Sequence, residues 1–419
     1  MAGEMFTGTC LGPQWSGNQQ QRRDESSMRG VALETLFLGV LVASALPEVT
    51  AWAPLPAALT RNPTPLAAAR RLCALGAVAV TEDAMRARAL VSTEWLQEQM
   101  DRGSGLVLLD VRGKVGKRDR SGRAWGDEWG TGVVSGGRVE TTYEALKDDY
   151  RTAHIPGAVF IDWTRDIVDS QDTKVPVQLA PLSAFVSVMQ ARGVSTDRTV
   201  VVYDTGKMLF ATRLWWALTL YGHSDVRILD GGWKRWQLEG RDTASTSSLV
   251  PARPAPAPTF DAHVRYPHLR CDAKGVRRVL PLLASRPAAG EKGKARAGYQ
   301  LIDARGRTQW NGSELRAKRG GRIPGAVNLP YKVLIDAQRG GFLPLPHLRG
   351  KLRECGVSIA GPGIECQTVA YCNGGVASTA VLFVLWQLGT PLQGLTNYDG
   401  SWGEWGNEHD EELFPVEFC

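Results

Sequence analysis

Four landmarks occur twice along this chain in the same order, and no other feature constrains its fold as tightly. Leu108-Leu109-Asp110-Val111-Arg112-Gly113 returns as Leu301-Ile302-Asp303-Ala304-Arg305-Gly306. His154-Ile155-Pro156-Gly157-Ala158-Val159 returns as Arg322-Ile323-Pro324-Gly325-Ala326-Val327. Thr199-Val200-Val201-Val202-Tyr203-Asp204 parallels Thr368-Val369-Ala370-Tyr371-Cys372, one valine shorter. Leu229-Asp230-Gly231-Gly232-Trp233 with Trp236 parallels Tyr398-Asp399-Gly400-Ser401-Trp402 with Trp405. Similar turns in unrelated strands would not share the tryptophan spacing, so one unit has been duplicated.

Each copy alternates β-like and helical runs. In the first, residues 107–111, 200–203 and 226–229 read as strands, and residues 180–192 and 211–221 as helices. That alternation predicts an α/β fold: two tandem domains, each a mainly parallel central sheet flanked by helices. The expected boundaries are a leader over 1–88, domain one over 89–244, a linker over 245–270 and domain two over 271–419. The Ser-, Ala- and Pro-rich residues 245–258 read as a semi-extended surface linker. Residues 113–150 of domain one, rich in glycine and charge, read as an exposed excursion.

The leader differs in composition from the rest. An arginine (Arg29), an apolar stretch over 31–46 and small residues at Val49 and Ala51 read as a secretory signal cleaved after Ala51. The apolar stretch, interrupted by Glu34 and Thr35, is too short for a membrane span. Residues 52–81 hold Arg61, Arg70 and Arg71 and no acidic side chain, which is transit-peptide composition. Together the two parts resemble the bipartite plastid leader of algae with secondary plastids, with a mitochondrial address as the competitor.

A net charge of +6 on 419 residues, with no basic run interleaved with aromatics, argues against a nucleic-acid partner. Seven cysteines without paired short spacing and six scattered histidines argue against a metal site and against a disulfide framework. A reduced compartment with one working thiol fits better. Cys355 and Cys366 are read as inert.

Cys372 is that thiol. It ends a β-like run, a loop Asn373-Gly374-Gly375-Val376 follows, and a long apolar helix begins. Inward-facing amides from Asn373 to Ala377 and the positive end of the helix favour a thiolate there. Free cysteine also packs well in cores, but two glycines beside a strand-to-helix turn mark a loop that brings backbone close to something. The first copy has Asp204 at this position. A carboxylate cannot act as a sulfur nucleophile, so domain one is expected to wall the site and domain two to carry the chemistry.

From Ala89 to Trp405 the chain resembles the tandem-domain thiosulfate and 3-mercaptopyruvate sulfurtransferases of the rhodanese superfamily. The marks are residues 154–158, Arg213-Leu214-Trp215-Trp216, residues 229–232, residues 398–402 and Cys372 ahead of Gly375-Val376. The resemblance implies a silent first domain and a persulfide on Cys372, with sulfur arriving from a small anionic donor. It leaves to a cyanide or thiol acceptor, a thioredoxin-like protein among them. It implies that loop residues Asn373, Gly374, Gly375 and Val376 hold the persulfide and that Arg307 or Arg316 binds the donor anion. Neither a cofactor nor a metal is expected, and the enzyme is expected to be a monomer. Thiosulfate-specialised members carry cations after the cysteine, and mercaptopyruvate-specialised members a hydroxyl two positions after it. Here Asn373 and Gly374 supply neither, though the uncharged loop is nearer the second form. A rhodanese-fold binding module without turnover is the alternative. A cysteine phosphatase would need an arginine closing the loop, and none precedes the helix.

Overall fold

The structure, a computed structural model, describes residues 81–118, 139–172, 174–247, 259–283, 298–361 and 366–418. The leader signals and most of the Ser/Pro-rich linker lie outside the described residues.

Domain one runs α1 (Glu82–Arg88), β1 (Leu90–Val91), α2 (Thr93–Asp101), β2 (Val107–Asp110), β3 (Gly113–Arg118) and β4 (Glu140–Ala145). It continues with α3 (Lys147–Thr152), β5 (Val159–Phe160), α4 (Leu182–Ala191), β6 (Val200–Tyr203), α5 (Leu209–Leu220), β7 (Val226–Leu229) and α6 (Gly232–Leu238). Domain two runs β8 (Arg270–Cys271), α7 (Ala273–Leu283), β9 (Gly298–Asp303), α8 (Arg307–Trp310) and β10 (Val327–Asn328). Then come α9 (Leu345–Glu354), β11 (Cys366–Tyr371), α10 (Ala377–Gln387), β12 (Leu395–Tyr398) and α11 (Ser401–Trp405).

The sheets are ordered β1-β7-β6-β2-β5 and β8-β12-β11-β9-β10, all pairs parallel. Matching the copies strand for strand gives one order twice. Register agrees too: Asp110 sits opposite Tyr203, and Asp303 opposite Tyr371. Every residue of β2 and β6 is buried, as strands covered by helices on both faces must be.

The repeated motifs turn out to be fasteners of the fold. In each copy the Asp–Arg pair after the second strand is buried and ion-paired, Arg112 to Asp110 at 2.9 Å and Arg305 to Asp303 at 2.6 Å. Tyr203 and Tyr371 each accept the amide that opens the Ile-Pro-Gly turn, from Ile155 and Ile323. His154 bonds the Tyr150 carbonyl at 2.7 Å, and Arg322 lies 3.9 Å over Trp310 and pairs with Glu417. Trp215, Trp216, Trp233, Trp402 and Trp405 are all core.

Two segments read from sequence as lying outside the folded body pack against it. Residues 82–88, assigned to the leader from sequence, form helix α1: the Thr81 side chain caps it, Met85 is buried, and Glu82 accepts from Trp386 Nε1 and Leu392 N of domain two. The excursion after Gly113 is an antiparallel ribbon, β3 on β4, whose described part docks onto domain two. Val139 N donates to Leu315 O at 2.9 Å and Lys117 pairs with Glu314 at 3.1 Å.

Helix α5 is buried all round and α10 nearly so, because each lies between its own sheet and the other helix. Trp215 packs edge-on to Phe383 at 4.8 Å and tilted on Trp386 at 4.9 Å. Thr212 and Thr379 share a hydroxyl hydrogen bond at 3.0 Å. The two domains therefore meet along the helices that follow Asp204 and Cys372.

Candidate active site

Cys372 follows the carboxyl end of a central strand of a parallel sheet, where open α/β folds place their ligands. It is 3% exposed. The loop after it is held from below. Gly375 has φ +72°, and a Cβ there would lie 2.5 Å from Asp399 Oδ1, so only glycine fits. Ser401 Oγ accepts from the amides of Cys372 and Gly375, both at 3.0 Å, and donates to Tyr398 O at 2.7 Å. The Gly375 carbonyl accepts from Arg213 Nη1 at 3.1 Å and Asn397 Nδ2 at 3.0 Å. Ser378 Oγ lies 3.7 Å from Cys372 Sγ and 2.6 Å from Asn397 Oδ1. The expectation that all loop amides face inward needs one correction: the Gly375 N–H is turned down onto Ser401.

The first copy shows what such a loop holds. Asp204 is fully buried and its carboxylate accepts four backbone amides: Gly206 (2.8 Å) and Met208 (3.1 Å) on Oδ1, Phe210 (3.0 Å) and Ala211 (3.2 Å) on Oδ2. Burial holds this carboxyl above its usual range, against the pull of the four N–H groups. The repeated strand–loop–helix is thus an anion cradle, occupied in copy one by a side chain of the protein itself.

Domain one closes the site from above. A Cβ on Gly374 would lie 3.1 Å from Val177 Cγ2, 3.3 Å from Pro176 O and 3.8 Å from the Tyr143 hydroxyl. Leu179 N and Gln178 Nε2 donate to Asp399, and Arg213 pairs with Asp399 at 2.6 Å, both side chains buried. Arg213 also donates to Val177 O at 3.0 Å and lies 4.6 Å over Trp216.

Two phenols lie within electrostatic reach of both the sulfur and one guanidinium. Burial and then the Cys372 sulfur push Tyr143 up to about 12, against the pull of Arg316. Burial, Asp204 and Cys372 push Tyr331 up, again with Arg316 opposing. Arg316 is nine-tenths buried; its Nε donates to Glu314 at 2.7 Å, while its two Nη atoms have no hydrogen-bond partner among the described residues. Burial acts to raise the Glu314 carboxyl, but Arg316 and Lys117 outweigh it and hold it below the usual range.

Of the residues singled out from sequence, Cys372, Asn373, Gly374, Gly375 and Val376 form one loop, and Arg316 acts on the same two phenols as Cys372. Asn373 Nδ2 donates to Gln309 Oε1 at 2.9 Å, tying the loop to α8. Arg307 does not join them: it is exposed and lies 5.0 Å over Trp310. Cys271 and Cys355 have thiols pushed up by burial. No group of three metal-ligating side chains occurs among the described residues. Sequence reasoning missed Ser401, Ser378, Asn397, Tyr143 and the Glu314–Lys117 pair, and treated Arg213 and Asp399 only as family marks. One signal was available, the change from Gly232 to Ser401 between copies.

Comparison with known proteins agrees with this geometry. The rhodanese-like domain matches twice, over residues 92–239 and 287–408. A thiosulfate sulfurtransferase of Corynebacterium glutamicum is 34% identical over 278 residues, covering 64% of this chain and 81% of that one. The thiosulfate sulfurtransferase of Cricetulus griseus is 30% identical over 337 residues, covering 78% of this chain and 94% of that one. Among solved structures, SseA from Escherichia coli, a 3-mercaptopyruvate sulfotransferase, superposes with a TM-score of 0.54 at 27% identity, covering 75% of this chain and 99% of that one. With two matched copies spanning most of the described residues, this chain belongs to the rhodanese family.

Proposed function

We propose that this chain is a sulfurtransferase that carries a sulfane sulfur on Cys372, from thiosulfate or 3-mercaptopyruvate to cyanide or a thiol. The observation that carries the reading is the twin cradle: the loop that holds the Asp204 carboxylate on four amides in copy one presents a cysteine in copy two. A Cys372–S–S⁻ persulfide is the anion such a cradle suits.

The Cys372 thiolate attacks the outer sulfur of the donor, forming an S–S bond as the donor's bond to that sulfur breaks. With thiosulfate the electron pair leaves on sulfite. With mercaptopyruvate it leaves on the pyruvate enolate, which takes up the proton lost by the donor thiol. The acceptor thiolate or cyanide then attacks the terminal sulfur and returns Cys372 as thiolate. Arg316, with Nε tied to Glu314, offers its two Nη atoms to the donor carboxylate or sulfonate. Arg307 takes no part. A thioredoxin-like protein thiol is a natural acceptor, and the leader directs the chain to a plastid, with the mitochondrion as the alternative. Imaging residues 1–80 fused to a fluorescent protein decides the address.

The central test is intact mass after incubation with either donor. One added sulfur is expected, released by cyanide and absent in Cys372→Ser. A protein that gains no sulfur from thiosulfate or mercaptopyruvate is not this enzyme.

A further inference from the structure

The catalytic loop brings no hydroxyl of its own to the donor side of Cys372: residues 373–377 are Asn, Gly, Gly, Val and Ala. Ser378 touches the sulfur from beneath, but it is fully buried and bonded to Asn397. Of the two phenols that feel the sulfur, Tyr331 belongs to domain two, and the one set against the loop at Gly374 comes from domain one. Tyr143, on β4 of the ribbon, places its oxygen 3.8 Å from the position a Cβ on Gly374 would take.

That placement is built. The Tyr143 ring meets Trp163 edge-on at 5.8 Å, and Trp163 Nε1 donates to Glu144 O at 3.0 Å on the same strand. Gly113, where β3 begins, leaves the space Trp163 fills: a Cβ there would overlap the indole nitrogen. Farther along, the ribbon is pinned to domain two by Lys117–Glu314 and by Val139 N to Leu315 O. Tyr143 is part-buried and its O–H makes no hydrogen bond among the described residues, so its proton is available to a bound molecule.

We propose that Tyr143, delivered by the first domain's ribbon, is the proton donor to a carbon leaving group at Cys372, and so sets the donor class the enzyme can use. The proposal rests on the sulfur-transfer reading. As Cys372–S⁻ forms its bond to the mercaptopyruvate sulfur, the C–S pair passes into the enolate. Tyr143 gives its proton to that enolate, and the phenolate recovers a proton from the donor thiol. The sum is Cys372–S⁻ plus HS–CH₂–CO–COO⁻ giving Cys372–S–S⁻ plus CH₃–CO–COO⁻. Sulfite and a shortened polysulfide leave as stable anions and need no such proton. A phenol held near 12 stays protonated at neutral pH, as a donor must.

The test is Tyr143→Phe, which keeps the ring against Trp163 and removes an O–H that bonds nothing in the described fold. For mercaptopyruvate, kcat falls about a hundredfold with KM little changed. Loading from thiosulfate or inorganic polysulfide stays within about threefold, the range left to a lost contact outside the reacting step. Equal loss with all donors, or no loss with mercaptopyruvate, overturns the proposal. So does a parent protein that loads from thiosulfate and polysulfide but not from mercaptopyruvate. If the unsubstituted chain gains sulfur from none of them, the sulfur-transfer reading itself has failed.

Discussion

Ser401 holds φ at +52°, a conformation its counterpart Gly232 adopts freely at +50°. A serine tolerates that backbone at a cost of roughly 1 kcal/mol or more, and residues kept in such regions cluster at functional sites. Its hydroxyl explains the exchange. It gathers the Cys372 and Gly375 amides on one oxygen, and in copy one a Cβ at Gly232 would instead lie 2.4 Å from Asp204 O. Ser401→Ala should leave two buried N–H groups without an acceptor, costing about 1–3 kcal/mol each. Thermal unfolding would report the loss, and stopped-flow loading of Cys372 should slow with it. An unchanged melting temperature and loading rate would remove Ser401 from the loop's support. The serine is plain in the sequence; its backbone angle and bonding are not, because both depend on how α11 meets the end of β11.

At the scale of elements, the ribbon reaches the other domain through Glu314. That carboxylate joins Lys117 of β3 to Arg316, so a strand of one domain orients a guanidinium of the other. Glu314→Gln should raise the KM for donor about tenfold, the size of one lost charge-assisted hydrogen bond of about 1.5 kcal/mol. Discharge of preloaded persulfide to cyanide should keep its rate. A fall in that discharge rate with KM unmoved would contradict the assignment. Arg307 and Arg316 lie in one segment, and the sequence offered no way to separate them. Residues 311–322 form no helix or strand, so no periodicity tells which side chain turns inward. The ribbon escaped notice for a similar reason: its strands are polar and half-exposed, and they gain their place from domain two, not from an apolar pattern of their own.

Across the whole molecule, the fold and the place of Cys372 after a central strand were legible because repetition gave each motif an internal control. Whatever recurs in both copies, such as the Asp–Arg pairs and the tyrosines that bind the Ile-Pro-Gly turns, belongs to architecture. Whatever differs, Cys372 for Asp204 and Ser401 for Gly232, belongs to chemistry. Contacts that span the domains were illegible, since they join residues far apart in the chain. Arg213 shows this best, with bonds to Gly375, Asp399 and Val177. Arg213→Met should cost about 3 kcal/mol in denaturant unfolding, because it strips the buried Asp399 carboxylate of its buried cation and leaves it only Arg270, at 2.9 Å and one-third exposed. Adding Asp399→Asn should recover part of that loss, as coupled partners do. Strict additivity of the two substitutions would show that the pair does not join the domains.

Asp204 has one more consequence, for stoichiometry. A duplicated chain would ordinarily offer two receptors for a small negative ion. Here one of them carries a permanent internal guest, tethered covalently and impossible to wash away. The chain is therefore expected to take up a single sulfur equivalent, its other half being born saturated.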